Sequence, residues 1–230
     1  MKLVLWDIDG TLVSFGGIAG EAMRAAVLAT YGMTPTSERR SYAGKTDLRI
    51  IAETLPDLAP DAIRAGLPAF ETAYIELLAT MASAQRDRIR ALPGAQAAIA
   101  RLAREDVHQA PLTGNVAGAA RVKLDLTGLS EHMDFDSGAY GGDDPAREAL
   151  PAYALARASA RTGRTFAASD IVIIGDTAHD ISCARAVGAR VVAVATGPYT
   201  AAELASYGAD AVLADLTDAE ALVAAVMWAG

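Results

Sequence analysis

The sequence predicts an α/β protein: a parallel sheet with helices on both faces, plus an inserted α-helical cap domain. Short apolar runs alternate with longer stretches of helical periodicity, which is typical of strand–helix units on a parallel sheet. Several apolar runs end in carboxylate or hydroxyl residues, at the strand ends where open parallel sheets bind ligands. One region, beginning at about residue 16, shows helical periodicity only and interrupts this alternation.

The elements of the sheet domain follow from these patterns. Strands are predicted at residues 3–6, 107–112, 171–174, 190–195 and 211–213. Helices are predicted at residues 94–104, 117–126, 146–161, 178–187 and 218–228. Residues 1–15 and 86–230 are therefore predicted to form the core domain.

Residues 16–85 are predicted to form the cap. Apolar side chains recur at helical spacing in residues 18–29 and again in residues 70–81, so each segment presents one apolar face. The chain crosses between the two domains near residues 14–17 and 85–90, which are the expected hinges. We expect the cap to close over the strand ends and to exclude water from them.

Composition and charge limit the classes of function. The chain has 230 residues, is 52% hydrophobic and carries a formal net charge of −8. A folded globule is expected, and nucleic acid and anionic membrane surfaces are disfavoured as partners. The first residues are too short for a signal peptide and no apolar run could span a membrane, so a cytoplasmic protein is expected. Cys183, the single cysteine, is expected to pack in a helix. The sequence leaves open whether the protein is a monomer or a homodimer.

The clearest chemical motif is Asp7-Ile8-Asp9-Gly10-Thr11, which directly follows an apolar run. Side chains alternate along a strand, so Asp7 and Asp9 leave it on the same side. There one carboxylate can attack a substrate while the other transfers protons, which suggests phosphoryl transfer through an aspartate. The structural alternative is an ordinary Asp-Gly turn.

Two further strand ends carry compatible residues. The second predicted strand leads to Thr113, Gly114 and Asn115, where a hydroxyl and backbone N–H groups at a helix start can hold phosphate oxygens. The third leads to Asp176 and Asp180. Asp176 is placed to bind a hard cation such as Mg²⁺, with Asp180 in support.

Taken in order, the motifs Asp-x-Asp-Gly-Thr, Thr-Gly-Asn and Gly-Asp-x-x-x-Asp resemble those of the haloacid-dehalogenase-like hydrolase superfamily. The resemblance covers the whole core and implies a Rossmann-like fold. The helical insertion after the first motif is similar to the cap of the phosphoglycolate phosphatase and beta-phosphoglucomutase group.

The resemblance implies a role for each matching residue. Asp7 would be the nucleophile that forms an aspartyl-phosphate, while Asp9 would protonate the leaving group and then activate water. A Mg²⁺ site is implied, formed by Asp7, Asp9 through its backbone carbonyl, Asp176 and the supporting Asp180. Substrate contacts are implied for Gly10, Thr113, Gly114 and Asn115.

The superfamily also has a basic residue, usually lysine, before its last motif. In this chain Arg147 stands where that lysine usually lies, and it is the first choice because a guanidinium can bind phosphate and carboxylate oxygens together. Lys123 is the alternative. The structural interpretation of Lys123 is a solvated helix face shared with Arg121.

Residues 43–47 are expected to form the substrate-facing loop of the cap. Lys45 or Arg49 could then bind an anionic group of the substrate remote from the phosphate. The alternative is that these charges around a turn are simply solvated. His179, inside the last acidic motif, is expected to face solvent.

The sequence therefore predicts a Mg²⁺-dependent phosphatase that hydrolyses a small phosphorylated metabolite. One alternative is a phosphomutase, which would return the phosphate to a reoriented substrate. The other is a binding or regulatory module that keeps the fold without turnover.

Overall fold

The computed structural model describes residues 1–36 and 42–228. Its strands, in chain order, are β1 (Lys2–Trp6), β2 (Val13–Ser14), β3 (Arg90–Ala91), β4 (Val107–Pro111), β5 (Ile171–Gly175), β6 (Arg190–Val194) and β7 (Ala211–Leu213). Five of these strands form a parallel sheet in the order β4-β1-β5-β6-β7. The sheet confirms the predicted α/β class.

The α-helices, in chain order, are α1 (Ile18–Tyr31), α2 (Asp47–Thr54), α3 (Pro60–Ala84), α4 (Ala95–Leu102), α5 (Ala117–Thr127), α6 (Leu150–Thr162), α7 (Ala178–Val187), α8 (Ala201–Ser206) and α9 (Ala219–Met227). Interior strand β1 shows how they cover the sheet. Val4 and Trp6 belong to one buried apolar cluster, whereas Leu3 and Leu5 belong to another. Burial on both faces explains why these strands read as continuous apolar runs.

Two core elements differ from the sequence prediction. The helix predicted at 146–161 is divided into a 3-10 turn at Arg147–Ala149 and α6, which has Pro151 in its first turn. Proline favours a helix start because its missing N–H would have no partner there. Helix α8 was not predicted, although Thr200 and Glu203 form a capping box at its start and gave a readable signal.

The segment between the first two motifs is built from α1, α2 and α3. Buried Phe70 and Tyr74 of α3 belong to the same apolar cluster as Ile18 and Ala22 of α1. At its two crossings β2 and β3 pair in an antiparallel ribbon. These strands are two residues each, too short to show periodicity in the sequence.

The division into a core (1–15 and 86–230) and a cap (16–85) stays a prediction. Residues 37–41 of that cap and 229–230 of that core lie outside the described residues. Within residues 1–36 and 42–228, no helix combines the length and apolar character that crossing a membrane requires.

Candidate active site

The register of the sheet brings the three motifs to one edge. Trp6, the last residue of β1, is paired with Pro111 at the end of β4 and with Ile174 near the end of β5. Because the strands are parallel, the residues that follow them leave the sheet side by side. Asp7, Thr113 and Asp176 therefore meet although they are far apart in the sequence.

Asp7, Asp176 and Asp180 form a buried acidic cluster. Each offers a carboxylate oxygen, and these oxygens all lie within 4.8 Å of one another. The Thr11 hydroxyl donates a hydrogen bond of 3.0 Å to Asp176 Oδ1. A Cβ on Gly10, which has a φ of 87°, would press against the Asp176 carboxylate, so a glycine is needed there.

Arg147 lies inside this cluster and is itself buried. Its Nη2 donates to Asp7 Oδ1 at 2.6 Å and to Asp180 Oδ1 at 2.7 Å. The other oxygen of Asp180 accepts bonds from the backbone N–H and the hydroxyl of Thr177 at the start of α7. Asp180 is thus occupied by Arg147 and Thr177, which suits a supporting position better than direct metal ligation.

The acidic cluster holds more negative charge than Arg147 can balance. Burial raises the pKa of Asp176 to about 9, and the charges of Asp7 and Asp180 add to this effect. Burial also raises the pKa of Asp7 to about 7, although the Arg147 guanidinium opposes the shift. A divalent cation would offset this excess charge, and carboxylate oxygens are the ligands that Mg²⁺ prefers. The donor set of Asp7 and Asp176 fits Mg²⁺.

Asp9 faces a second cationic group. Its Oδ2 accepts bonds from Lys123 Nζ at 2.6 Å and from Asn115 Nδ2 at 2.7 Å. Asn115 also donates to the Thr113 hydroxyl at 2.7 Å and accepts from Lys123 through Oδ1. The interpretation of Lys123 as part of a solvated helix face is wrong, because its side chain is only 1% exposed.

The structure thus brings both proposed basic residues to the site in different places. Arg147 contacts Asp7, as expected for the first choice, while Lys123 contacts Asp9. Arg121, two residues before Lys123, has a side chain that is 59% exposed. One turn of α5 therefore has a solvent side and a site side, which the sequence alone could not separate.

A cavity of about 200 Å³ joins these groups to the helical segment. Its core side is lined by Asp7, Asp9, Thr113, Gly114, Asn115, Lys123 and Arg147. Its other side is lined by Ala19, Gly20, Met23, Tyr42, Ala43, Gly44, Lys45, Asp47, Ile50 and Tyr74. One wall is dense in charge, and the other is mostly apolar or aromatic.

Lys45 and Arg49, the two predicted substrate contacts of the cap, lie in different surroundings. Lys45 lines the cavity, but its Nζ lies 2.6 Å from Glu53 Oε2. Arg49 is bound to the other Glu53 oxygen at 3.0 Å, and its side chain is 44% exposed outside the cavity lining. The simple solvated-turn interpretation does not fit Lys45.

The structure differs from the expectations for Gly10 and His179. Gly10 is not among the residues that line the cavity, and its N–H donates to the Val13 carbonyl. His179 was expected to face solvent; its side chain is 30% exposed and lies against Gly44 of the opposite segment. Burial and the nearby Arg147 lower the pKa of His179.

Sequence reasoning missed three side chains that shape the site. Thr11 lies within the first motif, so its position gave a signal for a site residue. Asp47 and Tyr74 are buried cavity residues on α2 and α3. In the sequence, Tyr74 lies within the helical segment 70–81, and Asp47 is one of several charges beside a turn. Neither pattern distinguishes a site residue from a structural one.

The comparisons with known proteins agree with this arrangement. A family model described as HAD-hydrolase-like matches residues 147–219. A bifunctional riboflavin kinase/FMN phosphatase of Arabidopsis thaliana is 26% identical over 207 residues, covering 87% of this chain and 51% of the relative. The chain therefore spans about half the length of that curated relative.

Two solved structures show the same fold. A hydrolase from Pseudomonas syringae is 21% identical, with a TM-score of 0.66 and coverage of 97% of this chain and 98% of that one. CbbY from Rhodobacter sphaeroides in complex with phosphate is 17% identical, with a TM-score of 0.64 and coverage of 95% and 96%. The likeness extends over the sheet and over the inserted helices.

Proposed function

We propose that this chain, which belongs to the haloacid dehalogenase-like hydrolase superfamily, is a Mg²⁺-dependent phosphatase of a small phosphorylated metabolite. The observation that carries the proposal is the convergence of Asp7 and Asp9 on one cavity, each with its own cationic partner. One carboxylate is held by Arg147 beside the acidic cluster and the other by Lys123 at its edge. Two carboxylates in unlike surroundings suit a division of labour between nucleophile and acid–base group.

The first step assigned to these residues is transfer of the phosphoryl group to Asp7. A carboxylate oxygen of Asp7 attacks phosphorus while the bond from phosphorus to the ester oxygen breaks, giving an aspartyl-phosphate. Asp9, in its protonated form, gives its proton to the leaving oxygen. Lys123 and Asn115 fix the orientation of Asp9 by binding its Oδ2.

The second step is hydrolysis of the aspartyl-phosphate. Asp9 takes a proton from a water molecule, whose oxygen attacks phosphorus and releases inorganic phosphate and Asp7. Asp7 and Asp176 would hold the Mg²⁺ ion, which supplies neutralisation of the phosphoryl oxygens when it is bound. The Thr113 hydroxyl is positioned by Asn115 at the cavity wall, where it can donate to the same oxygens.

Arg147 offers a further donor for the phosphoryl group. Its Nε is buried and has no hydrogen-bond partner within residues 1–36 and 42–228. A buried N–H without a partner is costly, and Arg147 also lines the cavity, so a shift of its side chain toward a bound anionic oxygen would relieve that cost. This supports phosphate binding by a residue that also aligns Asp7.

The size of the cavity supports a small substrate. Pockets for drug-sized ligands start at about 300 Å³, whereas this cavity measures about 200 Å³. A cytoplasmic location, a monomeric or homodimeric state and the absence of nucleic-acid partners stay predictions from the sequence.

Hydrolysis of an aryl phosphate, followed by release of inorganic phosphate, tests the proposal. We expect turnover with Mg²⁺, loss of turnover with EDTA, and recovery when excess Mg²⁺ is restored. Turnover that EDTA does not change would reject the metal assignment. A protein that converts a phosphorylated sugar into its isomer much faster than it releases phosphate would be a phosphomutase instead. No turnover of any phosphate ester would favour a binding module.

A further inference from the structure

The cap loop comprises residues 43–48, which include the first two residues of α2. It is bound directly to the core. The Asp47 N–H donates to the Gly114 carbonyl at 2.7 Å, and the Thr46 hydroxyl donates to the Pro145 carbonyl at 2.8 Å. These two core carbonyls lie beside Thr113 and Arg147 respectively. The loop is therefore seated on the segments that carry the phosphate-binding groups.

Glycines on both sides permit this close approach. A Cβ on Gly114 would collide with the Lys45 carbonyl oxygen. A Cβ on Gly44 would collide with the His179 ring, and the φ of 70° at Gly44 also favours glycine. The backbones of the cap loop and the core therefore pack closely against each other.

The Asp47 carboxylate makes the most unusual contact in this interface. It is almost fully buried, and Oδ2 accepts a hydrogen bond of 2.7 Å from the Val116 N–H. Val116 is the N-cap residue of α5 and has no side chain that can cap a helix. The first N–H groups of a helix lack partners within it. Asp47 accepts the first of these from outside α5, and Glu71 of α3 accepts the Gly118 N–H at 3.0 Å.

Burial of the Asp47 carboxylate carries a desolvation cost. Burial raises the pKa of Asp47 to about 7, while the Val116 bond and the charge of Lys123 oppose the rise. The charges of Asp9 and Glu71, which face it from the core and from α3, add to the rise.

We infer that Asp47 is a positioning residue that joins closure of the cap loop to alignment of residues 113–116. When the loop is seated, its carboxylate fixes the start of α5 and with it the Thr113 hydroxyl, Asn115 and Lys123. The catalytic groups around Asp9 are then aligned only while the cap covers the cavity. The kinetic consequence rests on the proposed phosphatase activity, whereas the contact itself does not.

Two substitutions at Asp47 separate hydrogen-bond geometry from charge. Asp47→Asn keeps an acceptor oxygen in place and removes the charge, so kcat/KM for an aryl phosphate should stay within about threefold of the wild type. Asp47→Glu keeps the charge but displaces the oxygens by one methylene, so kcat/KM should fall at least about tenfold, mainly through kcat. Asp47→Ala should resemble Asp47→Glu.

Hydrogen exchange of single amides, measured by NMR, provides a readout that does not depend on activity. The Val116 amide should exchange at least about tenfold faster in Asp47→Glu and Asp47→Ala than in the wild type or Asp47→Asn. Glu71→Asp is the matched control, because Glu71 is another carboxylate from the helical insertion and accepts the Gly118 N–H of α5 at 3.0 Å. The substitution likewise displaces the carboxylate oxygens by one methylene. Glu71 does not line the cavity, so kcat/KM should stay within about threefold.

Three outcomes would overturn the inference. Wild-type kinetics and wild-type Val116 exchange in Asp47→Glu would show that the contact positions nothing. Equal inactivity of Asp47→Asn and Asp47→Glu would show that the charge itself is needed. A kinetic loss in Glu71→Asp equal to that in Asp47→Glu would reduce Asp47 to general support of the interface. If the wild type hydrolyses no phosphate ester, the proposed function fails, and Val116 exchange still decides whether Asp47 holds the loop.

Discussion

The two walls of the cavity differ in how their charges are used. On the core wall, Asp7 and Asp9 are bound to Arg147 and Lys123, and all four side chains line the cavity. On the helical wall, Lys45 is paired with Glu53 and lies among Met23, Tyr42, Ile50 and Tyr74.

We therefore expect the core wall to carry out the reaction and the helical wall to select the substrate. The core wall places opposite charges around the point where a phosphoryl group would react, so substitutions there should act on kcat. The helical wall offers apolar surface and a partly neutralised lysine, which can sort substrates by shape and charge. Apart from those at Asp47, substitutions there should act on KM and should depend on the substrate.

The largest effect is expected from Asp7→Asn. An amide is nearly isosteric with the carboxylate but is a poor nucleophile, so kcat should fall by more than about 1,000-fold. Aryl phosphate hydrolysis measures the loss, and an unchanged melting temperature would show that the fold persists. Asp125→Asn, an exposed carboxylate on α5, is the control and should keep wild-type activity. Normal turnover in Asp7→Asn would reject the nucleophile assignment.

A smaller loss in kcat is expected from Lys123→Met. Methionine keeps much of the side-chain length but donates no hydrogen bond, so Asp9 loses a partner at 2.6 Å. We expect kcat to fall about 10- to 100-fold with a changed pH profile, because proton transfer through Asp9 is affected. Arg121→Met removes a charge from the exposed side of the same helix and is the control. Identical behaviour of the two variants would remove Lys123 from the site.

Effects of a few fold on KM are expected at Lys45. Lys45→Ala should raise KM for a phosphate ester with a second anionic group more than for an aryl phosphate. Glu53→Gln should do the reverse, because it releases Lys45 from its ion pair. Steady-state kinetics with the two substrates provide the comparison. Equal changes in KM for both substrates would mean that Lys45 does not bind a second anionic group.

The last prediction concerns stability and does not depend on activity. The pKa of Asp47 is about 7 in the folded protein, against about 3.9 in an unfolded chain. The folded state therefore binds the proton more tightly, and this contribution to stability is lost as pH rises from about 4 to 7. Relative to wild type, Asp47→Asn should gain up to about 1.4 kcal/mol per pH unit across that window and nothing further above it. Urea unfolding at several pH values measures this; a constant difference would contradict it.

Much of the fold could be predicted because the core strands are apolar on both faces. β4 to β7 begin where the runs of apolar residues predicted them, and β1 begins one residue earlier. The turn that carries Arg147 was predicted as part of a helix, since three residues of 3-10 structure leave no periodic trace. The site residues that directly follow strands, such as Asp7, Thr113 and Asp176, could be predicted because strand ends are visible in the sequence.

By itself the sequence determined the parallel sheet and the meeting of Asp7, Thr113 and Asp176, because alternating strand and helix segments imply parallel strands whose carboxyl ends share one edge. Tertiary structure alone decided the division of Arg147 and Lys123 between two carboxylates, the pairing of Lys45 with Glu53, and the seating of Asp47 on α5. The contacts of Arg147, Lys123 and Asp47 join segments far apart in the chain, and the Lys45–Glu53 pair depends on how the helical segment folds. Burial and partner choice depend on how helices pack against the sheet, and residue spacing carries no record of that packing.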